Sequence, residues 1–408
     1  MAMTITKYTR WRCFAGYWLQ SLCTSSMNLF SLFAIPLMTD CNWTNEQFSA
    51  AYTIYMVTYC AVGFFGGILT ERFGPRKTLY CAMLFYVSGW FLAGFADNLP
   101  QLYLTFGLGI GIGGGIMYAA CLPTTLKWFP DKTGIISGLA MTGATVGPIV
   151  FAPFVADFIE KIGPQNTLHL LGIIFFIFLS STLWMITSCP LNWRPKNLQE
   201  RSEITTEIKT NSFTPLQMLK TPIFWLLFII FIAPTATGTM LVSAVSPIAQ
   251  RQLGQTAMFG AFCVSVLTCG SLTGRVLFGL IYDKLKSRRS LALVLLINLI
   301  AMLMLTVASN SSLFLLSIFL CGISFGSILV VIAPTVLLLF GGEHYNSNYG
   351  LMFMGYGLGA LIGPWLAANS YDATGGYWPC FVSSAVLAAL GLLMVFFTRR
   401  AALRLRTK

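Results

Sequence analysis

Gly67-Ile-Leu-Thr-Glu71-Arg72-Phe-Gly-Pro-Arg76-Lys77 returns 212 residues later as Gly279-Leu-Ile-Tyr-Asp283-Lys284-Leu-Lys-Ser-Arg288-Arg289. Each copy starts on a glycine at the end of an apolar run, sets an acid four residues on and closes on a basic pair. A glycine permits close helix approach, and the acid can meet either a basic residue or a helix end. Gly67, Glu71, Arg72, Arg76, Asp283 and Arg288 are therefore candidates for a latch that holds one conformation and opens in another. A second pair agrees, Gly143-xxx-Gly147-Pro148 and Gly359-xxx-Gly363-Pro364. Matching motifs in corresponding segments predict two parallel bundles related by an axis along a membrane normal.

The runs between the motifs are membrane-length. The 408 residues are 56 % hydrophobic and 9 % charged, with a mean hydropathy of +0.75. A soluble domain carries roughly a quarter charged residues. Segments of about 20 apolar residues cross a bilayer, and twelve are predicted: 12–39, 47–70, 78–96, 101–122, 133–157, 167–189, 222–249, 256–282, 290–308, 312–340, 346–371 and 377–398. The expected fold is an all-α membrane protein of two pseudo-symmetric six-helix bundles. Residues 1–190 form the first and 221–408 the second. A polar linker, 191–220, joins them and carries Glu200, Arg201, Glu203, Glu207 and Lys209.

Charge tests that map. A net charge of +12 would suggest nucleic-acid binding in a soluble protein, but cytoplasmic loops of membrane proteins collect Lys and Arg. The termini, the linker and the alternate loops 71–77, 127–132 and 283–289 hold 22 of the 25 basic residues. The opposite loops hold two, Lys161 and Arg251, and Arg275 lies inside a span. Both termini are thus expected in the cytoplasm, with the bilayer and a small solute as partners and no nucleic acid. The short termini lean toward a bacterial inner membrane, and the chain is read as a monomer.

Several chemistries are set aside. The eleven cysteines form no CxxC pair or zinc spacing with His169 or His344, so no metal or cofactor is expected. Cys41 and Cys380 are read as free thiols. No nucleophile–base pair lies in the spans, which argues against an enzyme. Gly109-Ile-Gly111-Ile-Gly-Gly114 spells G-x-G-x-x-G but lies inside the fourth span with no strand before it; it reads as a close-packing surface.

The repeated loop is similar to the signature of the major facilitator superfamily, with Glu71 where that signature usually has Asp. The resemblance covers essentially the whole chain and implies a transporter working by alternating access, its substrate held between the halves near mid-membrane. Gly115-Ile-Met-Tyr118, Lys127-Trp-Phe-Pro-Asp-Lys-Thr-Gly134, Gly274-Arg275-xxx-Gly279 and Asn348-Tyr349-Gly350 further resemble the oxalate:formate antiporter family, itself related to monocarboxylate transporters.

Arg275 stands out on physical grounds alone. Near mid-membrane a guanidinium costs about 3 kcal/mol on insertion scales, so it faces a cavity or a partner. None of the thirteen Asp and Glu falls in the middle of a predicted span, and an anionic substrate is the natural counterion, held by the planar fork. Tyr52, Tyr55 and Tyr59 share one helical face, and Tyr55 and Tyr59 are candidate substrate contacts. Tyr118, Phe325 and Phe353 fall at or near aromatic positions of the family, and Asn28 can hydrogen-bond a hydroxy- or keto-acid oxygen. Two departures refine the expectation. Related proton-coupled carriers place an acid one turn before the arginine, where this chain has Ser271; that favours anion exchange or uniport. The dicarboxylate carrier has a lysine where this chain has Tyr356; one cation points to a monocarboxylate. The competing readings are a carrier or exporter of a larger amphipathic compound and a transporter-like membrane sensor of organic acids.

Overall fold

In hydrocarbon every backbone N–H and C=O must be satisfied within the protein, which leaves helices as the solution for apolar runs of this length. The computed structural model of the chain describes residues 7–190, 193 and 212–406. Most of the expected linker, including Glu200, Arg201, Glu203, Glu207 and Lys209, lies outside the described residues. Ten described helices are long and apolar enough to cross a membrane. One of them, Ala257–Thr306, is broken at Lys286, where φ is 60° and ψ −176°, and so contributes two spans. Adding the 19-residue Pro75–Ala93 gives the twelve segments the sequence pattern predicts.

In chain order the spans are Tyr8–Cys41, Asn45–Phe73, Pro75–Ala93, Leu99–Lys127, Thr133–Ile162, Pro164–Leu183, Pro222–Leu253, the two parts of Ala257–Thr306, Ser311–Phe340, Tyr345–Thr374 and Trp378–Arg406. They are numbered 1 to 12 below. Local chemistry sets several starts. Thr44 and Gln47 form a reciprocal capping box on span 2, and Thr221 and Asn310 cap spans 7 and 10. Large apolar side chains such as Phe154 and Ile177 stand outward, as lipid-facing residues must.

Residue contacts divide the chain into two units. The first comprises Met1–Asp131, Ala140–Ser212 and Gly342–Met354; the second comprises Lys132–Leu139, Phe213–Gly341 and Gly355–Lys408. The first turns of span 5 thus group with the second unit, and those of span 11 with the first.

In the first unit the glycines of span 4 serve two neighbours. Gly107, Gly111 and Gly115, spaced by four, meet Ile54, Thr58 and Tyr59 of span 2, while Gly109 and Gly113 meet Gly89 and Tyr86 of span 3. The apparent dinucleotide motif is therefore two helix-packing stripes. Span 1 is not a plain α-helix: Ser25–Phe33 is tightened to 3₁₀. Opposite it, Tyr103–Ile110 of span 4 is widened to π. Phe30 fills the junction, its ring centroid 3.7 Å from Phe106 and 4.2 Å from Phe48.

In the second unit, spans 8 and 10 approach through small residues on both sides. Gly270 and Gly274 rest on Phe319 and Ile323, while Gly322 and Gly326 rest on Leu267 and Ser271. Gly359 and Gly363 of span 11 pack on Thr235 and Ala236 of span 7, and in the first unit Gly143 and Gly147 of span 5 pack on Ser21 and Leu22 of span 1. The recurring glycine pair thus does the same work in both.

Candidate functional site

The two motif acids reach helix N-termini, each within a single unit. Asp283 accepts hydrogen bonds from the Gly134 and Ile135 backbone N–H groups at 2.9 and 3.0 Å. Both belong to the first turn of span 5, where orphan amides and the helix dipole favour an anion. Glu71 does the same for span 11, accepting from the Ser347 N–H and the Ser347 hydroxyl, both at 2.9 Å. The register is the 212-residue offset applied twice: 71 becomes 283, and 135 becomes 347. Gly67 lies directly against the Asn346 backbone, and Gly279 against Gly134.

The basic members of the motif act elsewhere. Arg76 donates from Nε to the Ile186 carbonyl and from Nη2 to the Trp184 carbonyl, both at 2.8 Å, and so covers orphan carbonyls just past the end of span 6. Arg288, its counterpart, lies 5.8 Å from the Phe396 ring of span 12. Arg72 is exposed and rests 5.4 Å from the Phe73 ring. Of the two partners open to the acids in sequence, the helix end is the one observed. His344 adds a third contact to Glu71, with Nδ1 3.4 Å from Oε2.

A polar group extends this corner of the first unit. The Lys127 ammonium donates to Asn346 Oδ1 at 2.9 Å, and Asn346 Nδ2 donates to the Ala119 carbonyl and the Thr124 hydroxyl, both at 3.2 Å. The Trp-Phe-Pro-Asp run continues it. Trp128 Nε1 donates to the Thr187 carbonyl, Phe129 packs edge-on to Trp11 at 5.1 Å, and Asp131 pairs with Arg10 at 3.3 Å. The motif is a clamp between the ends of spans 1, 4 and 6. Cys189 sits beside it, and burial pushes its thiol up to about 12 against the pull of Lys127, so it stays protonated near neutrality.

The candidate substrate residues form two groups. In the first unit, Tyr55, Tyr59, Tyr118 and Phe353 belong to one aromatic cluster. Tyr59 is 5.6 Å from Tyr55, 5.9 Å from Tyr118 and 5.9 Å from Phe353, and Tyr118 is 4.5 Å from Phe353, between ring centroids. The sequence reading missed Tyr349, whose hydroxyl hydrogen-bonds that of Tyr118 at 2.8 Å. Tyr345, Tyr349 and Phe353 follow one another at four-residue spacing on span 11, a signal that could have found it. In the second unit, Phe325 stacks on Tyr356, with centroids 6.4 Å apart. Asn28 lies in the 3₁₀ stretch of span 1, but its side chain falls outside the described residues.

Arg275 is in the second unit. It is half-buried and stands eleven residues before the break at Lys286, about 16 Å at 1.5 Å per residue. That is about half the thickness of a hydrocarbon core near 30 Å. Gly138 of span 5 packs on its carbonyl, which holds the Arg275 backbone against span 5. Among the described residues, every Asp and Glu lies near a span end or in a loop: Asp40, Glu46, Glu71, Asp97, Asp131, Asp157, Glu160, Asp283, Glu343 and Asp372.

Among the described residues, twelve membrane-length helices with a repeated glycine–acid contact and an arginine at mid-span define a multi-pass membrane protein of transporter architecture. The family model for the major facilitator superfamily matches residues 14–316 and 235–408, and the chain belongs to that superfamily. It is 24 % identical over 362 residues to an uncharacterized MFS-type transporter, YhjX, of Escherichia coli, covering 88 % of each chain. It is 24 % identical over 370 residues to the oxalate:formate antiporter of Oxalobacter formigenes, covering 90 % of this chain and 86 % of that one. Monocarboxylate transporter 2 of Meriones unguiculatus is 25 % identical over 381 residues, covering 87 % and 76 %. Among solved structures, the transporter FucP in the outward conformation aligns with a TM-score of 0.70 at 17 % identity, over 94 % of this chain and 98 % of that one. This last likeness speaks to fold.

Proposed function

We propose that the protein is a secondary carrier for a small organic monocarboxylate, working by alternating access as an anion exchanger or uniporter, with both termini in the cytoplasm. The observation that carries this reading is Arg275, a guanidinium half-buried at the middle of span 8. Keeping it there costs about 3 kcal/mol on insertion scales, a penalty that an anionic solute engaging the planar fork offsets. Ser271, one turn earlier, is not titratable near neutrality, which favours exchange or uniport over proton symport. Tyr356, stacked on Phe325, supplies a wall and a hydroxyl but no second cation, which favours a monoanion over oxalate. The likeness to the oxalate:formate antiporter and to monocarboxylate transporters supports the carboxylate class. Tyr59, Tyr118 and Phe353 are assigned to the aromatic lining of the pathway. Glu71 and Asp283 act as latches that engage in one conformation and release in the other.

Counterflow in proteoliposomes tests the reading. Internal lactate, pyruvate or formate should stimulate uptake of the same labelled acid. Tyr356→Lys should shift the preference from lactate toward oxalate. An Arg275→Gln carrier that exchanges the acid at the wild-type rate would refute the assignment.

A further inference from the structure

The end of the second unit away from Asp283 carries a basic–aromatic pocket that the carrier reading does not use. Arg251 near the end of span 7, Tyr371, Gly375 and Gly376 at the end of span 11, and Tyr377 and Trp378 at the start of span 12 line a cavity of about 280 Å³. Drug-sized ligands occupy roughly 300–1,000 Å³, so this one suits a small solute. The Arg251 guanidinium lies 4.2 Å from the Tyr371 ring centroid and donates from Nη1 to the Tyr377 hydroxyl at 3.3 Å. The Tyr371 and Tyr377 rings stack at 5.2 Å.

Three features make this a built pocket. Tyr377 is buried within the apolar core of its unit, with Phe381 and Met240, so the hydroxyl that meets Arg251 is anchored from below. The turn is tied down: the Ser370 hydroxyl donates to the Gly376 carbonyl at 2.9 Å and accepts from the Cys380 N–H at 3.3 Å. Gly375 and Gly376 have open space where a Cβ would stand, and Gly375 needs its φ of +70°, so the floor is kept clear of side chains.

Charge then selects the ligand. Only Lys161 and Arg251 are basic among the loops at the end opposite the repeated motif. Lys161 is neutralised by Asp157 at 2.8 Å. Arg251 rests on two tyrosines, and no described carboxylate lies within 4.0 Å of it, Asp372 at the end of span 11 included. A guanidinium laid on an aromatic face keeps its charge and several N–H donors for a planar anion.

We infer that this pocket, at the end of the second unit away from Asp283, is a second binding site for a small carboxylate, separate from Arg275. The carboxylate identity rests on the carrier reading; the anion preference rests on Arg251 itself. Trp378 lines the cavity and is 59 % exposed, a built-in reporter. Purified full-length protein titrated with lactate should give a saturable change in tryptophan fluorescence that disappears in Trp378→Phe. Arg251→Gln should raise the half-saturating concentration about tenfold, which is about 1.4 kcal/mol. Arg251→Lys, which keeps the charge without the flat stack, should fall between. Arg275→Gln should keep the signal, so loss of the central site and loss of this one are read separately. The inference is overturned if chloride at equal ionic strength gives the same change, if Arg251→Gln titrates like wild type, or if Arg275→Gln abolishes the signal.

Discussion

The loop at 67–77 and the loop at 279–289 perform one task with different residues, and the differences follow the physics of each position. In both, a glycine lets a neighbouring helix start come against span 2 or span 8, and an acid satisfies that start's amides. Asp283 is short and takes two backbone N–H groups; Glu71, one methylene longer, takes one N–H, a serine hydroxyl and an imidazole. The chain reverses at Gly74 with φ 81° and ψ 159°, and at the equivalent Lys286 with φ 60° and ψ −176°. That region belongs to glycine, so the second copy tolerates strain the first avoids. The repeat preserves the charge–dipole contact and lets the details of how it is reached diverge.

The comparison can be broken most forcefully at the glycines. A Cβ on Gly67 would overlap the Asn346 carbonyl oxygen and lie 2.6 Å from Ser347 Cα, whereas on Gly279 the nearest atom is Gly134 O at 2.8 Å. Gly67→Val should cost about 3 kcal/mol and Gly279→Val about 1–2 kcal/mol, read as thermal unfolding in detergent. Next come the acids. Asp283→Ala should cost about 2 kcal/mol because two helix-start amides lose a charged acceptor. Glu71→Ala should cost about 1 kcal/mol less, since it takes the charged acceptor from one helix-start N–H where Asp283 serves two. The two melting curves, and their order, check this.

The two reversals should respond in opposite directions. Lys286→Gly should stabilise by about 1 kcal/mol, and Gly74→Lys should destabilise by at least as much. If both are neutral, the backbone difference between the copies carries no strain. The least effect is expected at His344, a part-exposed partner 3.4 Å from Glu71: His344→Ala should cost no more than about 0.5 kcal/mol.

The sequence made the spans legible because a bilayer imposes length and apolarity, and the repeat legible because both copies keep glycine, acid and base in register. It also gave the acids two chemically sensible partners without choosing. The choice needed tertiary proximity: residues 71 and 347 are 276 apart, and no local pattern ties them. The same holds for Arg76, which reads as a latch residue yet serves the end of span 6. The 3₁₀ and π stretches of spans 1 and 4 were invisible, because both remain apolar and helical in period. At the candidate site, the Tyr55–Tyr59 face and Tyr118 were readable from helical spacing and motif, and Tyr349 could have been. The Arg251–Tyr377 contact joins residues from separate spans and announces itself only once the chain is folded.

Direct binding tests the central claim without the complications of flux. Isothermal titration of the purified Arg251→Gln protein, in which the Arg251 pocket is disabled, with lactate, pyruvate and formate should yield a saturable monocarboxylate site attributable to Arg275. It should be lost in Arg275→Gln and weakened in Arg275→Lys, where the charge stays but the fork geometry goes. A protein carrying both Arg251→Gln and Arg275→Gln that binds the same acid with the Kd of the Arg251→Gln parent would contradict the account.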